Sequence, residues 1–394
     1  MAEHNGSIAD IFRSHFDQDK KASGPLPLEH HKVAHAITTC RTELMGGHVW
    51  GCPQCDHEVT MYNSCRNRHC PRCQAFASAQ WVQNRIDELL PVPYFHVVFT
   101  VPHQLNAFAL RNKKVFYALF FRAVSQTLLE LAQNPRRLGG LIGFIAILHT
   151  WGQNLMDHPH IHCVVPGGAL SDDRRRWIGC SKDFLFPVPV IRALFKGKLL
   201  AGFQQALADG SMQLHGDLQQ FTDKKLLGAL LRQLYGMQWV VYVKPPFAGP
   251  EAVIKYLGNY THRIAISDKR ILAADENTVS FSYKDYADGA RTKPMTLNAL
   301  EFIRRFLLHV VPTGFMRIRH YGFLSNALQK NLLPLCMKLL GKVPLPKTVE
   351  SKCWYDIIER LCGEDPRVCP HCRRARMLLR RQLPRLDRAL PLIC

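Results

Sequence analysis

Apolar and polar positions along this chain change period several times, and each change marks an element. Tyr94 to Val101 is a β-branched and aromatic run between Pro93 and Pro102, which predicts a buried strand. From Arg111 to Gln133 the apolar residues Val115, Leu119, Val124, Leu128 and Leu131 recur at helical spacing. The pattern stops at Asn134-Pro135, where a helix must end. Gly143 to Thr150 and His160 to Val165 read as two strands joined by the polar turn Gly152 to Pro159, a hairpin. Residues 171–235 are charged, with helical patches such as Lys224 to Leu234, and read as an insertion. Gln238 to Val243 is a further strand and 251–260 a short helix. Arg263 to Leu272 and Thr278 to Tyr283 form a strand pair around an Asp-Glu-Asn turn. Strands with few helices between them predict an α+β domain rather than a doubly wound one.

Composition adds a partner class. With 394 residues and 47% hydrophobic content, two or three domains with sizeable cores are expected. The net charge of +20 predicts attraction to polyanions, nucleic acid first and anionic membrane second. The N-terminus shows no apolar leader, and Gly139 to Leu148 is too short to span a bilayer. The chain is therefore expected to be soluble and intracellular, where paired Cys point to metal rather than disulfide.

Charge and cysteine divide the chain into three regions. Residues 1–90 carry 9 basic against 10 acidic side chains and six of the 14 Cys. Residues 91–290 carry 22 against 14, and residues 291–394 carry 20 against 7 with a second group of Cys. The expected division is a zinc-binding domain over 1–90, a catalytic domain over 91–290 and a mainly helical, basic DNA-binding region over 291–394.

The front holds Cys52-Pro-Gln-Cys55 and Cys70-Pro-Arg-Cys73, two knuckles separated by 14 residues. Four thiolates so paired suit one tetrahedral, structural Zn²⁺. Cys40, Cys65, His35 and His69 surround them as candidates for a second site. Cys369-Pro-His-Cys372 is half of another, with its remaining ligands open: Cys353, Cys362, another protomer or the front module.

The middle holds His158-Pro-His160-Ile-His162. On a strand, positions i and i+2 share a face about 7 Å apart, so His160 and His162 present two imidazoles to one side. That pair can hold a divalent metal with positions left for phosphate oxygens. The third ligand is open at this stage, with His158 and Gln153 preferred and Asp157 and His149 also near. Further on, Lys255-Tyr256-Leu-Gly-Asn-Tyr260-Thr-His262-Arg263 sets two Tyr on one helix face, beside cations that suit phosphate. A phenol with a pKa near 10 needs a base or a polarised electrophile before it can attack. In the basic end, Arg304, Arg305, Arg317 and Arg319 are candidate phosphate ligands, with Phe302, Phe306, Tyr321 and Phe323 interleaved for base stacking.

Taken together, these motifs resemble the HUH superfamily of single-strand DNA endonucleases, and the whole chain resembles the insertion sequence 91 family of rolling-circle transposases. The resemblance is carried by Ser64-Cys65-Arg-Asn-Arg-His-Cys70, by Phe99-Thr100-Val101, and by His149-Thr-Trp-Gly-Gln-Asn-Leu155 leading into the His-x-His strand. It is carried further by Tyr256 to Ser267, Phe302 to His309 and Arg317 to Leu324. Both Tyr are present, as in the two-tyrosine branch.

The resemblance implies a central antiparallel sheet with flanking helices, an RNA-recognition-like core. It implies His160 and His162 as ligands of Mg²⁺ or Mn²⁺, and Tyr256 and Tyr260 as nucleophiles that join the 5′-phosphate of single-stranded DNA. Lys255 and Arg263 would lie on the DNA. The implied partners are element ends and a target site, with host replication proteins as further candidates and no membrane. The implied location is the bacterial-type cytoplasm, at the nucleoid. Two other readings use parts of the same set: a plasmid replication initiator or relaxase, and a non-catalytic zinc-dependent DNA-binding regulator.

Overall fold

The computed structural model describes residues 6–180, 185–244, 252, 258, 265–286, 288–342, 355–356, 358–359 and 363–386. The chain starts with helices α1 (Ile8–Ser23) and α2 (Leu28–Thr39), hairpin strands β1 (Gly47–Gly51) and β2 (Glu58–Tyr62), and helix α3 (Pro71–Asp87). Strand β3 (Tyr94–Thr100), helices α4 (Asn106–Arg111) and α5 (Lys113–Gln133) and the short strand β4 (Gly140–Leu141) follow. The long hairpin β5 (Gly143–Trp151) and β6 (Asp157–Pro166) leads to β7 (Gly168–Ser171), β8 (Trp177–Gly179), α6 (Val188–Ala208), α7 (Lys224–Gly236) and β9 (Val241–Lys244). Beyond them come β10 (Ile271–Ala274), β11 (Thr278–Asp285), β12 (Arg291–Asn298), α8 (Ala299–Leu308), β13 (Ile318–Gly322), α9 (Gln329–Leu339) and β14 (Leu378–Leu383).

The fold is α+β with antiparallel sheets, as the strand pattern predicts. Its compact units do not follow the three regions of charge and cysteine. One unit joins residues 1–83, 262–310 and 345–394; the other joins 84–261 and 311–344. The basic end is thus shared between the units rather than forming a region of its own. Nor is it mainly helical, since β12, β13 and β14 stand beside α8 and α9 among its described residues.

The second unit is built on a five-stranded antiparallel sheet in the order β13-β5-β6-β3-β9. Alternate residues of its central strands are apolar and face the helices that cover one side. Phe95, Val97, Phe99, Ile161, Cys163 and Val165 meet Phe116, Phe120, Phe195 and Phe203 in one core. Phe99 and Phe195 cross edge to face at 5.0 Å, and Trp239 closes on Phe195 at 5.5 Å. Residues 171–235 therefore do more than an insertion would, because α6 supplies one of the two helices that cover the sheet. Helix α5 is long and apolar enough to cross a bilayer by length and composition. This revises the expectation of no such segment, but its apolar residues are buried in this core.

Gly322 ends β13 with φ +59°, and a Cβ built there would overlap the backbone carbonyl oxygen of Ile142. A backbone neighbour cannot rotate aside. Gly322→Ala is expected to lower unfolding stability by at least about 2 kcal/mol in urea melts.

In the first unit, Ser7 caps α1 reciprocally with Asp10, and Phe12 packs edge to face on Phe306 of α8 at 5.2 Å. Helix α8 also covers the sheet β10-β11-β12 through Phe302 and Phe281. The predicted strand pair around Asp275-Glu276-Asn277 is present as β10 and β11. A second three-stranded sheet, β14-β1-β2, brings the end of the chain against its front. The predicted helix 251–260 lies outside the described residues apart from Ala252 and Gly258.

Candidate metal centres

Three groups of ligand-type side chains converge among the described residues, and each is placed by strand register. In the β5–β6 hairpin, His149 stands directly opposite His160 and Ile147 opposite His162. His149, His160 and His162 consequently share one face, and their ring nitrogens lie within 4.8 Å of one another. Alternation along β6 sends Ile161 and Cys163 to the helix-covered core, so the three imidazoles sit on the opposite face.

The side chain that joins His160 and His162 in this cluster is His149, and the expected His158 and Gln153 are not part of it. His158 is exposed and supplies its carbonyl oxygen instead, which accepts from His160 Nδ1 at 2.6 Å. That bond fixes the ring and leaves Nε2 as the metal-facing nitrogen. Gln153 lies in the turn between the strands. Asp157 alternates away from the His face, and burial pushes its carboxyl up to about 7. His96 on β3 was not singled out from sequence; its Nε2 lies 2.7 Å from His162 Nδ1, with the rings stacked.

Electrostatics keep His160, His162 and His96 neutral. Burial lowers the pKa of His160 to about 4 and pulls His162 well below the usual imidazole value, with His149 adding to the effect. Burial, with help from Lys244, also lowers His96 to about 4. A neutral imidazole is the form that ligates a metal, so the site meets pH 7 ready for a divalent cation.

The cysteines form two quartets, neither of them the predicted Cys52-Cys55-Cys70-Cys73 set. Cys40, Cys65, Cys70 and Cys73 converge, and Cys52 and Cys55 converge with Cys369 and Cys372. The reason is the β1–β2 hairpin. Its closed end carries the Cys52–Cys55 knuckle, while Cys40, Cys65 and the Cys70–Cys73 knuckle lie at its open end. A five-residue strand separates the two ends by about 17 Å. His35 and His69 are not among the ligands of either quartet. Neighbouring sulfurs are 3.5 Å apart for Cys40–Cys73 and Cys65–Cys73, 3.6 Å for Cys52–Cys372 and 3.7 Å for Cys55–Cys369. Sulfurs bound tetrahedrally at ~2.3 Å from zinc stand about 3.8 Å apart, so both quartets fit that ion.

The amides of Gln54 and Asn67 donate to the sulfurs of Cys52 and Cys65, as knuckle backbones do toward thiolates. Hydrogen bonds from Cys65 and Cys70 bring Cys40 down to about 7, and those from Cys40, Cys65 and Cys70 hold Cys73 well below the usual thiol value, while the same network pushes Cys65 and Cys70 above it. Ionised sulfur is the ligating form. With four thiolates each site would be closed, so a zinc held there would be structural.

The candidate DNA-binding arginines are placed variously. Arg304 and Arg305 both pair with Glu301, at 2.6 and 2.7 Å, and would have to leave it to reach a phosphate. Arg317 and Arg319 alternate to the helix-covered side of β13, away from the His cluster, and Arg319 lies over Phe121 at 4.2 Å. Tyr256, Tyr260, Lys255 and Arg263 lie outside the described residues, as do the other candidate ligands Cys353 and Cys362.

Comparison with known proteins finds transposase relatives. Residues 143–331 match a family model described as "Putative transposase", and residues 11–101 match one described as "Transposase zinc-binding domain". The first Cys quartet lies within the latter; half of the second lies outside both. A relative in Sinorhizobium fredii (strain NBRC 101917 / NGR234), "Putative transposase y4qJ", is 47% identical over 380 residues, 96% of each chain. "Transposase for insertion sequence element IS801" of Pseudomonas savastanoi pv. phaseolicola is 26% identical over 352 residues, 85% of this chain and 80% of its own. Among solved structures, "Conjugative Relaxase TrwC in complex with mutant OriT Dna" aligns over 41% of this chain and 64% of its own. Its identity is 16% and its TM-score 0.23, too low to bear on the fold.

Proposed function

The chain belongs to the insertion sequence 91 family of transposases, and on that premise we propose that it cuts and rejoins single-stranded DNA in rolling-circle transposition. The observation that carries the chemical part is the convergence of three imidazoles, His149, His160 and His162, on the face of the sheet opposite α5 and α6. These three side chains would hold Mg²⁺ or Mn²⁺. When bound, such an ion polarises a phosphoryl oxygen and offsets the charge that builds up in the transition state.

The nucleophiles are proposed to be Tyr256 and Tyr260. The phenolic oxygen of one attacks the phosphorus of a phosphodiester in an element end. An O–P bond to Tyr forms as the bond from phosphorus to the 3′-oxygen breaks, leaving a 5′-phosphotyrosine and a free 3′-OH. The phenol gives up one proton and the 3′-oxygen gains one. Attack by a different 3′-OH reverses the chemistry and joins the strands with no external energy source. The second Tyr serves the second cleavage. Lys255 and Arg263, which flank the pair, are proposed to hold the phosphate backbone.

The test uses a labelled single-stranded oligonucleotide carrying an element end, with Mg²⁺ or Mn²⁺. A covalent protein–DNA adduct is expected from the unaltered chain and none from Tyr256→Phe/Tyr260→Phe. An adduct that persists in the double variant would refute the nucleophile assignment. Binding without cleavage of any end sequence would favour a non-catalytic regulator.

A further inference from the structure

Half of the second cysteine quartet comes from residues 52 and 55 and half from residues 369 and 372, at the two ends of the chain. The same two ends meet again in the sheet, where β14 pairs antiparallel with β1 from Gly47↔Leu383 to Gly51↔Leu378. A bulge between Val49 and Trp50 leaves Arg380 outside the ladder, and its side chain lies where a Cβ on Gly51 would stand. Around the metal-type cluster Trp50, Val59, Ala375 and Met377 pack on Cys52 and Cys369. His57 and His371 stack across the two knuckles at 5.5 Å.

This contact is small. Its apolar core is a few side chains, and β14 itself is exposed along almost its whole length. An edge strand with so little buried surface has little hydrophobic reason to stay. Four thiolates on one ion would supply what the packing lacks, since binding of a structural zinc is coupled to the folded form. The segment so attached is unusual in charge. Arg373, Arg374, Arg376, Arg380, Arg381 and Arg385 are all exposed between residues 373 and 385. Arg376 pairs with Asp365 at 2.8 Å. No acidic side chain occurs in the sequence between residues 366 and 386.

We propose that Cys52, Cys55, Cys369 and Cys372 form a second zinc site that clasps the arginine-rich end of the chain onto the front module, and that the clasped strand is a grip for the phosphate backbone of single-stranded DNA. The grip half rests on the DNA reading above; the clasp half does not. Removing the zinc frees β14 from β1 and scatters cations that the site holds on one tethered segment. Guanidinium groups fixed on a strand lose less freedom on meeting phosphate than those of a loose tail.

The experiment compares the full chain with Cys369→Ser/Cys372→Ser and with Arg373→Ala/Arg374→Ala/Arg380→Ala/Arg381→Ala. Native mass spectrometry is expected to count two zinc ions in the full chain, one in the Cys variant and two in the Arg variant. Limited proteolysis should release the segment after residue 366 rapidly from the Cys variant alone. Retention of both zinc ions by the Cys variant, or unchanged proteolysis, overturns the clasp. The grip is read from the slope of log affinity against log salt for a fluorescent single-stranded oligonucleotide. Loss of four phosphate contacts lowers that slope by about 3. Both variants should show the drop; the Arg variant, which keeps its zinc, reports on the grip even where the Cys variant folds poorly. An unchanged slope in the Arg variant overturns the grip. A full chain that shows the expected zinc count and proteolysis but binds no single strand leaves the clasp standing and removes both the grip and the DNA reading beneath it.

Discussion

Alanine at both His160 and His162 is expected to reduce strand cleavage by at least about 10³-fold while leaving the fold in place. Loss of one fixed transition-state donor already costs about 10²–10³ in comparable sites, and this change removes two of three ligands for the ion that would act there. The two residues lie on β6, whose core-facing neighbours Ile161 and Cys163 are untouched, so the sheet should survive. His149→Ala alone should cost less and be partly recovered at high Mn²⁺, because a paired imidazole site remains. The acid side of the pH profile tests the same geometry. Burial lowers His160 to about 4, so the imidazole stays neutral at pH values where an ordinary histidine, near 6.5, would be protonated. Protons compete with metal only as pH falls toward the lowered value. Cleavage at saturating Mn²⁺ should thus persist through pH 6 and fall off nearer 5. A double variant with wild-type cleavage, or an acid limb at 6.5, would remove the cluster from the chemistry.

Much of this site was legible in the sequence because strand alternation is a local rule. The His-x-His spacing alone put His160 and His162 on one face, and the structure keeps them there. The third member of the cluster was legible too, by one further step. A hairpin whose turn centres between residues 154 and 155 pairs His149 with His160, whereas His158 and Gln153 are nearer in sequence but lie in or beside the turn. Nearness along the chain was the wrong measure, and register the right one.

The core helix over 111–133 and the strand over 94–101 also followed from period, and appear as α5 and β3. What did not follow was non-local. No periodicity tells which sheet receives β14, or that 171–235 supplies a helix over the core. Spacing within a Cys-x-x-Cys knuckle shows that it takes part in a site without naming its partner knuckle. Reading 52–55 with 70–73 assumed that neighbours in sequence are neighbours in space. The β1–β2 hairpin sets them at opposite ends. The excess of cations over the last residues was visible as charge, and what it lacked was a place on the fold.

The same hairpin yields a large effect on stability. Cys70→Ser should cost one zinc ion and, with it, the folded state of the front module. Cys40 is fully buried at the end of α2, Cys70 is 1% exposed directly before α3, and between them runs the β1–β2 hairpin. The ion is the principal link among these segments. Without it Cys40, Cys65 and Cys73 remain as buried or half-buried sulfurs crowded at 3.5 Å, an arrangement that repels once any two ionise. Since apparent zinc binding of about 10–16 kcal/mol is coupled to folding in small closed sites, its removal exceeds the roughly 5–15 kcal/mol by which domains are stable. Chelation of the unaltered chain should reproduce the variant. The quartets make a sharper distinction as well. Cys40→Ser and Cys70→Ser should remove the same ion, so that their double variant still holds one zinc. Cys52→Ser with Cys70→Ser should hold none, because those two residues serve different ions. A double Cys52/Cys70 variant that kept one zinc would restore the pairing of adjacent knuckles. That outcome would require the β1–β2 hairpin to be rebuilt, because its five-residue strands keep the two knuckles too far apart for one ion.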